Sequence, residues 1–287
     1  MKEAWNQIAR VYDKLLPPNR PGKIDIEIYG KLIKPKLKKG VNILLLGSTP
    51  ELRDLLYSSC LAYDANLTAI DISEDMYQAM SLLMEKTNPK EKFVNRPWQS
   101  TGLESNSYDL IIGDEVIVNI PLSDRDIFFK EIVRLLKKDG SFITRHNSVI
   151  PENKKLNNKK IKEQFQKVVD LEQTIGNALN NISSLYTYYL SSLHPSQNVS
   201  IADMIDQIPH FQKIISNDPK MKTIGDEIAE RAKIFEASKD QTWVYKDKKF
   251  NEFELKKYFR IDTALQPAGY IKAKNNILYS LSPLENE

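Results

Sequence analysis

Residues 41–46 read VNILLL, Gly47 follows, and residues 48–60 read STPELRDLLYSSC. A continuous apolar run of strand length suits a parallel strand covered on both faces. After Gly47, Ser48 or Thr49 can cap a helix and Pro50 suits its first turn. Leu52, Leu55 and Leu56 then give that helix an apolar face. LTAID at 67–71 is a second strand, followed by a helix opened by Ser73 with Met76, Met80 and Leu83 inward. Further strands are expected at 92–95 and 108–114, and a fifth after the Asp139-Gly140 turn. Asp124 to Lys137 is an amphipathic helix through Ile127, Phe128, Ile132, Leu135 and Leu136. Strands alternating with helices in this way predict a doubly wound parallel α/β sheet, with its ligand edge at the carboxyl ends of the strands.

The alternation stops at Pro151, and NKKLNNKKIKEQ (153–164) is a polar junction. One long helix or two shorter ones are expected over 159–192, with an apolar stripe through Ile161, Phe165, Val168, Ile175, Leu179, Ile182 and Leu185. Another helix is expected over 221–237. Strand signals return at 242–246, 257–262 and 275–281, and the last two strands are expected to complete the sheet. Upstream, Trp5, Ile8, Ala9, Tyr12, Leu15 and Leu16 recur at helical spacing before Pro17-Pro18, and a second helix runs from Ile24 to Ile33. The expected division is residues 1–40 as helices over the ligand edge, 41–151 as the α/β core, 152–240 as a helical insertion and 241–287 as closing strands. The insertion's apolar stripe must bury against something, so it should act as a lid over the ligand edge or as the interface of a homodimer.

The 287 residues carry 41 Lys and Arg against 38 Asp and Glu, a net charge of +3. This balance argues against a nucleic-acid partner bound through phosphate neutralisation. Cys60 is the one cysteine, so no internal disulfide or cysteine-held cluster can form. His146, His194 and His210 lack metal-ligand spacing. No apolar run reaches membrane-span length, and the amphipathic N-terminus is unlike a signal peptide; a cytoplasmic location is the default expectation.

Several residues stand where chemistry is expected. Gly47 at the end of the first strand lets a ligand approach the backbone, and the amides of Ser48 and Thr49 open the next helix toward it. Asp71 ends the second strand, where a carboxylate can accept both hydroxyls of a ribose; a helix-terminal charge is the plainer role. Asp114 and Glu115 follow the fourth strand, and could bind a cation, act as a base or cap the next turn. His146 follows the fifth strand and is a further candidate base. Arg20, in PPNRPG, and Tyr186 and Tyr189, in SLYTYYL, are candidate substrate contacts.

These stretches together resemble the class I S-adenosylmethionine-dependent methyltransferase family. NILLLGSTPELRDL (42–55) is similar to its first motif, LTAIDISEDM (67–76) to its second, YDLIIGDEVI (108–117) to its fourth and EIVRLLKKDGSFITR (131–145) to its fifth and sixth. AWNQIARVYDKLLPPNRPGKIDIEIY (4–29) resembles the N-terminus of a bacterial subgroup with an LGxTPEL first motif. The resemblance implies a seven-stranded Rossmann-like sheet closed by an antiparallel hairpin, with the helical insertion after strand five. It implies S-adenosylmethionine as cofactor and a small-molecule acceptor. It places adenine against Ile72, Met76, Pro97 and Trp98, and the methionine part near Asp114. Departures from the pattern are Leu45, where the family carries an acid, and Ser48 to Glu51, where it carries further glycines. That eroded turn keeps open a non-catalytic binding or interaction module. The missing glycines disfavour a nicotinamide oxidoreductase.

Overall fold

In the computed structural model, residues 6–284 are described, apart from 7, 11, 16, 149–156, 172–185, 187–188, 191–197, 216–217, 234–235, 237–238, 240–241 and 271–272. A seven-stranded sheet forms the centre. Its strands are β1 (Asn42–Leu46), β2 (Asn66–Asp71), β3 (Lys92–Asn95), β4 (Tyr108–Asp114), β5 (Leu136–Asn147), β8 (Phe259–Leu265) and β9 (Asn276–Pro283). Their order is β3-β2-β1-β4-β5-β9-β8. The first five are parallel, whereas β9 runs antiparallel to both β5 and β8. The order reverses between β1 and β4, which is where doubly wound sheets leave a crevice for ligands.

The VNILLL run shows why β1 lies at the centre. Ile43 and Leu45 point into the apolar layer containing α1 (Lys23–Ile33) and α2 (Pro50–Tyr63). Leu44 and Leu46 point into the opposite layer with α4 (Arg125–Leu135). All four side chains are fully buried, as a strand covered on both faces requires. Pro50 begins α2 as expected, but Thr49 makes no side-chain cap bond. Ser73 does cap α3 (Glu74–Ser81), accepting from Met76 N–H at 3.0 Å.

The structure corrects several expectations. Helix α3 ends at Ser81, and Leu83 is partly exposed, so only Met76 and Met80 reach the core. Ile127 of α4 is also exposed, and Leu136 already belongs to β5. The strand signal near 242–246 forms β7 (Thr242–Val244), which pairs with β6 (Asn198–Ser200) in a separate two-stranded ribbon and not with the central sheet. A short helix, α9 (Lys248–Leu255), was not anticipated.

The insertion contains α5 (Asn158–Leu171), α6 (Ile201–Asp206), α7 (Ile208–Ile215) and α8 (Pro219–Ala232). These helices share an apolar core with Tyr186, Tyr189 and Leu190, against which Trp243 and Tyr245 pack. Ile161, Phe165 and Val168 of the expected stripe lie in this core. Trp5, Leu16, Ile175, Leu179, Ile182, Leu185 and Tyr188 lie outside the described residues. Among those described, no helix is long and apolar enough to cross a membrane.

Candidate active site

The tips of β1, β2 and β4 open onto one cavity of about 610 Å³. Gly47, Ser48 and Thr49 form its floor at the end of β1, and Gly47 has φ +88°, a conformation that favours glycine. Asp71 and Ile72 line it at the end of β2, together with Met76 of α3. Pro97 and Trp98 form a flanking wall. Trp98 is fixed there because its Nε1–H donates to the Ile70 carbonyl at 2.9 Å. Ile8, Tyr12 and Leu15 contribute from the N-terminal segment. Across the opening, Tyr186, Met204, Ile208, Ile228, Trp243 and Tyr245 contribute from the insertion and its ribbon. The insertion thus faces the same edge as Gly47 and Asp114.

Asp71 is almost entirely buried. Its Oδ2 accepts from the Ser48 hydroxyl at 2.8 Å and its Oδ1 from Ser73 N–H at 3.0 Å. Burial pushes its carboxyl above the ordinary range, while the Ser73 and Ile72 amides and Ser48 hold it down. A carboxylate offers about four acceptor sites, so about one or two remain for a ligand.

Asp114 lines the cavity, but its charge is already taken. Arg145 donates from Nε to Oδ1 at 2.7 Å and from Nη2 to Oδ2 at 2.8 Å. The two residues are register partners on neighbouring strands, which sets up this fork. Arg145 is fully buried and also donates to the Pro18 carbonyl at 2.8 Å. Buried Asp25 of α1 lies 3.5 Å from Arg145 Nη1 and accepts from the Tyr270 hydroxyl at 3.0 Å. The Tyr29 hydroxyl accepts from Arg145 N–H at 2.8 Å and lies 3.0 Å from both Asp114 Oδ1 and the Gly113 carbonyl. Burial opposes the charge of Arg145, but Asp114, Glu115 and Asp25 raise it well above the ordinary guanidinium range. Asp114 is therefore part of a buried clamp that also lines the cavity.

Beside Asp114, Glu115 is partly buried and lines the cavity. Its backbone is left-handed, with φ +53°, which for a non-glycine residue costs about 1–3 kcal/mol. Three bonds hold it there: Glu115 N–H to the Arg145 carbonyl at 3.1 Å, Asn119 Nδ2 to the Glu115 carbonyl at 2.9 Å and Asn147 N–H to Oε2 at 3.0 Å. Its Oε1 lies 3.7 Å from Arg145 Nε and makes no hydrogen bond among the described residues. Burial pushes the Glu115 carboxyl up to about 8, with Arg145 opposing and Asp114 adding to the shift.

A pH dependence follows from this. The folded chain holds a proton that the unfolded chain releases near 4.5, so this group's contribution to stability declines as pH rises from about 4.5 to about 8. Buried His146, pushed down to about 3, acts oppositely at acid pH, where the unfolded chain binds the extra proton. The difference in stability between wild type and Glu115→Gln isolates the carboxyl. It is expected to shift in favour of the glutamine variant across that window in urea titrations. A difference that stays flat with pH would show that Glu115 is not held protonated.

The remaining sequence candidates divide. Tyr186 lines the cavity and donates its hydroxyl to the Met204 carbonyl at 2.7 Å. Tyr189 is buried in the insertion core and bonds Asn158 Oδ1 at 3.2 Å, away from the cavity lining. Arg20 is paired with Glu51 and stacked over Tyr12, 5.0 Å from the ring, and is not a lining residue. His146 is fully buried outside the cavity lining, so the structure does not support it as a base. Sequence reasoning missed Asp25, Tyr29, Tyr270 and Arg145. The available signal was Arg145 itself, a charge closing an apolar strand and needing a partner.

Comparison with known proteins agrees with this geometry. Residues 52–144 match the family model described as a methyltransferase domain. The match takes in the chain from α2 through most of β5, the part that carries Asp71, Asp114 and Glu115. No curated protein matches the sequence. Among solved structures, an S-adenosylmethionine-dependent methyltransferase from Clostridium acetobutylicum is 14% identical, with TM-score 0.54, covering 97% of this chain and 98% of its own. The N-methyltransferase NodS from Bradyrhizobium japonicum, in complex with S-adenosylhomocysteine, is 10% identical, with TM-score 0.50 and coverage of 98% and 100%. A Rhodobacter sphaeroides chain named for Zn-dependent alcohol dehydrogenases is 13% identical, with TM-score 0.58 and coverage of 99% and 98%. At these identities the likenesses show the shared fold.

Proposed function

We propose that this chain is an S-adenosylmethionine-dependent methyltransferase that acts on a small molecule in the cavity beneath the insertion. The observation that carries the reading is Asp71, a buried carboxylate with acceptor capacity to spare, placed at the tip of β2 beside Gly47. That arrangement fits a ribose whose hydroxyls bond Asp71 while the rest of the cofactor passes over Gly47. Trp98, Met76 and Ile72 supply apolar surface for adenine. Asp114 is occupied by Arg145, so the amino-acid end falls to backbone groups of residues 47–49 and of the end of β4. When bound, the cofactor supplies a methyl already activated on its sulfonium. The protein's part is then to exclude water and to align an acceptor with that methyl, which proximity alone makes effective. The insertion residues Tyr186, Met204 and Trp243 suit that exclusion. A cavity of about 610 Å³ lies within the range of small-molecule sites, about 300–1,000 Å³.

Calorimetric titration with S-adenosylmethionine, S-adenosylhomocysteine and NAD tests the reading. Both sulfur compounds are expected to bind and NAD is not. Binding of NAD alone would overturn the proposal in favour of a nicotinamide enzyme, and binding of none would leave the fold without its cofactor.

A further inference from the structure

The cavity has an unusual charge pattern: Asp71, Asp114, Glu115 and Asp124 line it, and no Lys, Arg or His is among its described lining residues. Arg145, the nearest buried cation of β5, is fully covered and spends its guanidinium on Asp114 and Pro18. An acceptor bearing a carboxylate or phosphate would find no side-chain counter-charge there. Asp71 and Asp114 already serve Ser48, Ser73 and Arg145. Glu115 accepts one hydrogen bond, from Asn147 N–H, out of the about four a carboxylate can take. It also lies on the insertion's side of the cavity. Tyr245 lines the same cavity, and after burial the charge of Glu115 pushes its hydroxyl up. Trp243 and Tyr186 complete the aromatic wall. A carboxylate beside aromatic faces attracts a cation by both Coulomb and cation–π terms.

Resting on the methyltransferase reading above, we infer that the methyl acceptor is an amine on an apolar, aromatic-sized body, held by Glu115 and the Tyr245–Trp243 wall. Binding of the ammonium ionises Glu115, whose resident proton leaves to solvent, and one ammonium proton then passes to the Glu115 carboxylate. The amine's freed lone pair forms a C–N bond to the methyl carbon as the C–S bond breaks, and that electron pair stays on sulfur. The positive charge passes from sulfur to nitrogen, and the proton on Glu115 leaves to solvent when product departs. Holding that proton in a buried site is the task for which a raised carboxyl is suited.

The test titrates the full chain, saturated with S-adenosylhomocysteine, with three probes of one shape: phenethylamine, phenethyl alcohol and hydrocinnamate. The amine is expected to bind about tenfold or more tighter than the alcohol, as a charge-assisted bond allows, and the carboxylate not at all. In Glu115→Gln the gap between amine and alcohol should close while S-adenosylhomocysteine still binds. An amine bound no better than the alcohol by wild type would overturn the inference, and this needs no variant to fold. A glutamine variant that loses S-adenosylhomocysteine and keeps the amine preference would also overturn it, by assigning Glu115 to the cofactor. A wild type that binds no S-adenosylhomocysteine would overturn the methyltransferase reading itself, and the inference with it.

Discussion

Arg145→Ala is expected to cost about 3–5 kcal/mol of folding stability, because removing one partner leaves buried carboxylates without compensation. Asp114 would lose both bonds of its fork, Asp25 its ion-pair partner and the Pro18 carbonyl its donor. The damage reaches four parts of the chain at once: the N-terminal segment, α1, the end of β4 and the Tyr270 loop. Arg145→Lys should recover only part of the loss, since an ammonium cannot present the planar fork that Asp114 receives. Urea unfolding of the two variants decides the matter. A loss below about 1 kcal/mol for Arg145→Ala would show that water or neighbouring groups replace the guanidinium, and that the clamp is not what seats the N-terminal segment on the sheet.

Asp71→Ala is expected to weaken S-adenosylhomocysteine binding by about 2–4 kcal/mol, the loss of charge-assisted acceptors for two ribose hydroxyls in a dry site. The same carboxylate anchors the Ser48 hydroxyl and the Ser73 amide, so some stability should go with it. Asp71→Asn separates the effects, because it keeps an acceptor for Ser73 and removes the charge. Its affinity should fall more than its melting temperature does. Affinity within about threefold of wild type in both variants would remove Asp71 from the ribose site.

The fold was legible because its signals are local. VNILLL needs cover on both faces, and the Gly47 turn, the Ser73 cap and the Asp71 strand end follow from short stretches of chain. Leu83 and Leu136 were misplaced because helical periodicity continued in the sequence past the ends of α3 and α4, and Ile127 because it stands on the solvent side of α4. The partner of the TWV strand was not legible for a different reason. Nothing within residues 242–244 says whether they pair with β9 or with β6, more than forty residues earlier. In the site, the tips of β1 and β2 could be read from spacing. The division of labour between Asp114 and Glu115 could not, since it depends on the cross-strand partner Arg145 and on a left-handed turn. No pattern in the sequence marks a glutamate for positive φ.

The insertion owns an apolar core distinct from the two layers on the sheet, and the cavity lies between them. Two cores of this kind form separate cooperative units, each with its own free energy of opening. A molecule filling the gap between them binds only when both are formed and seated, so its concentration enters the stability of each by mass action. The insertion's amide protection would then report occupancy of a site built largely from other residues. In that sense the ligand is the mortar between two separately laid courses.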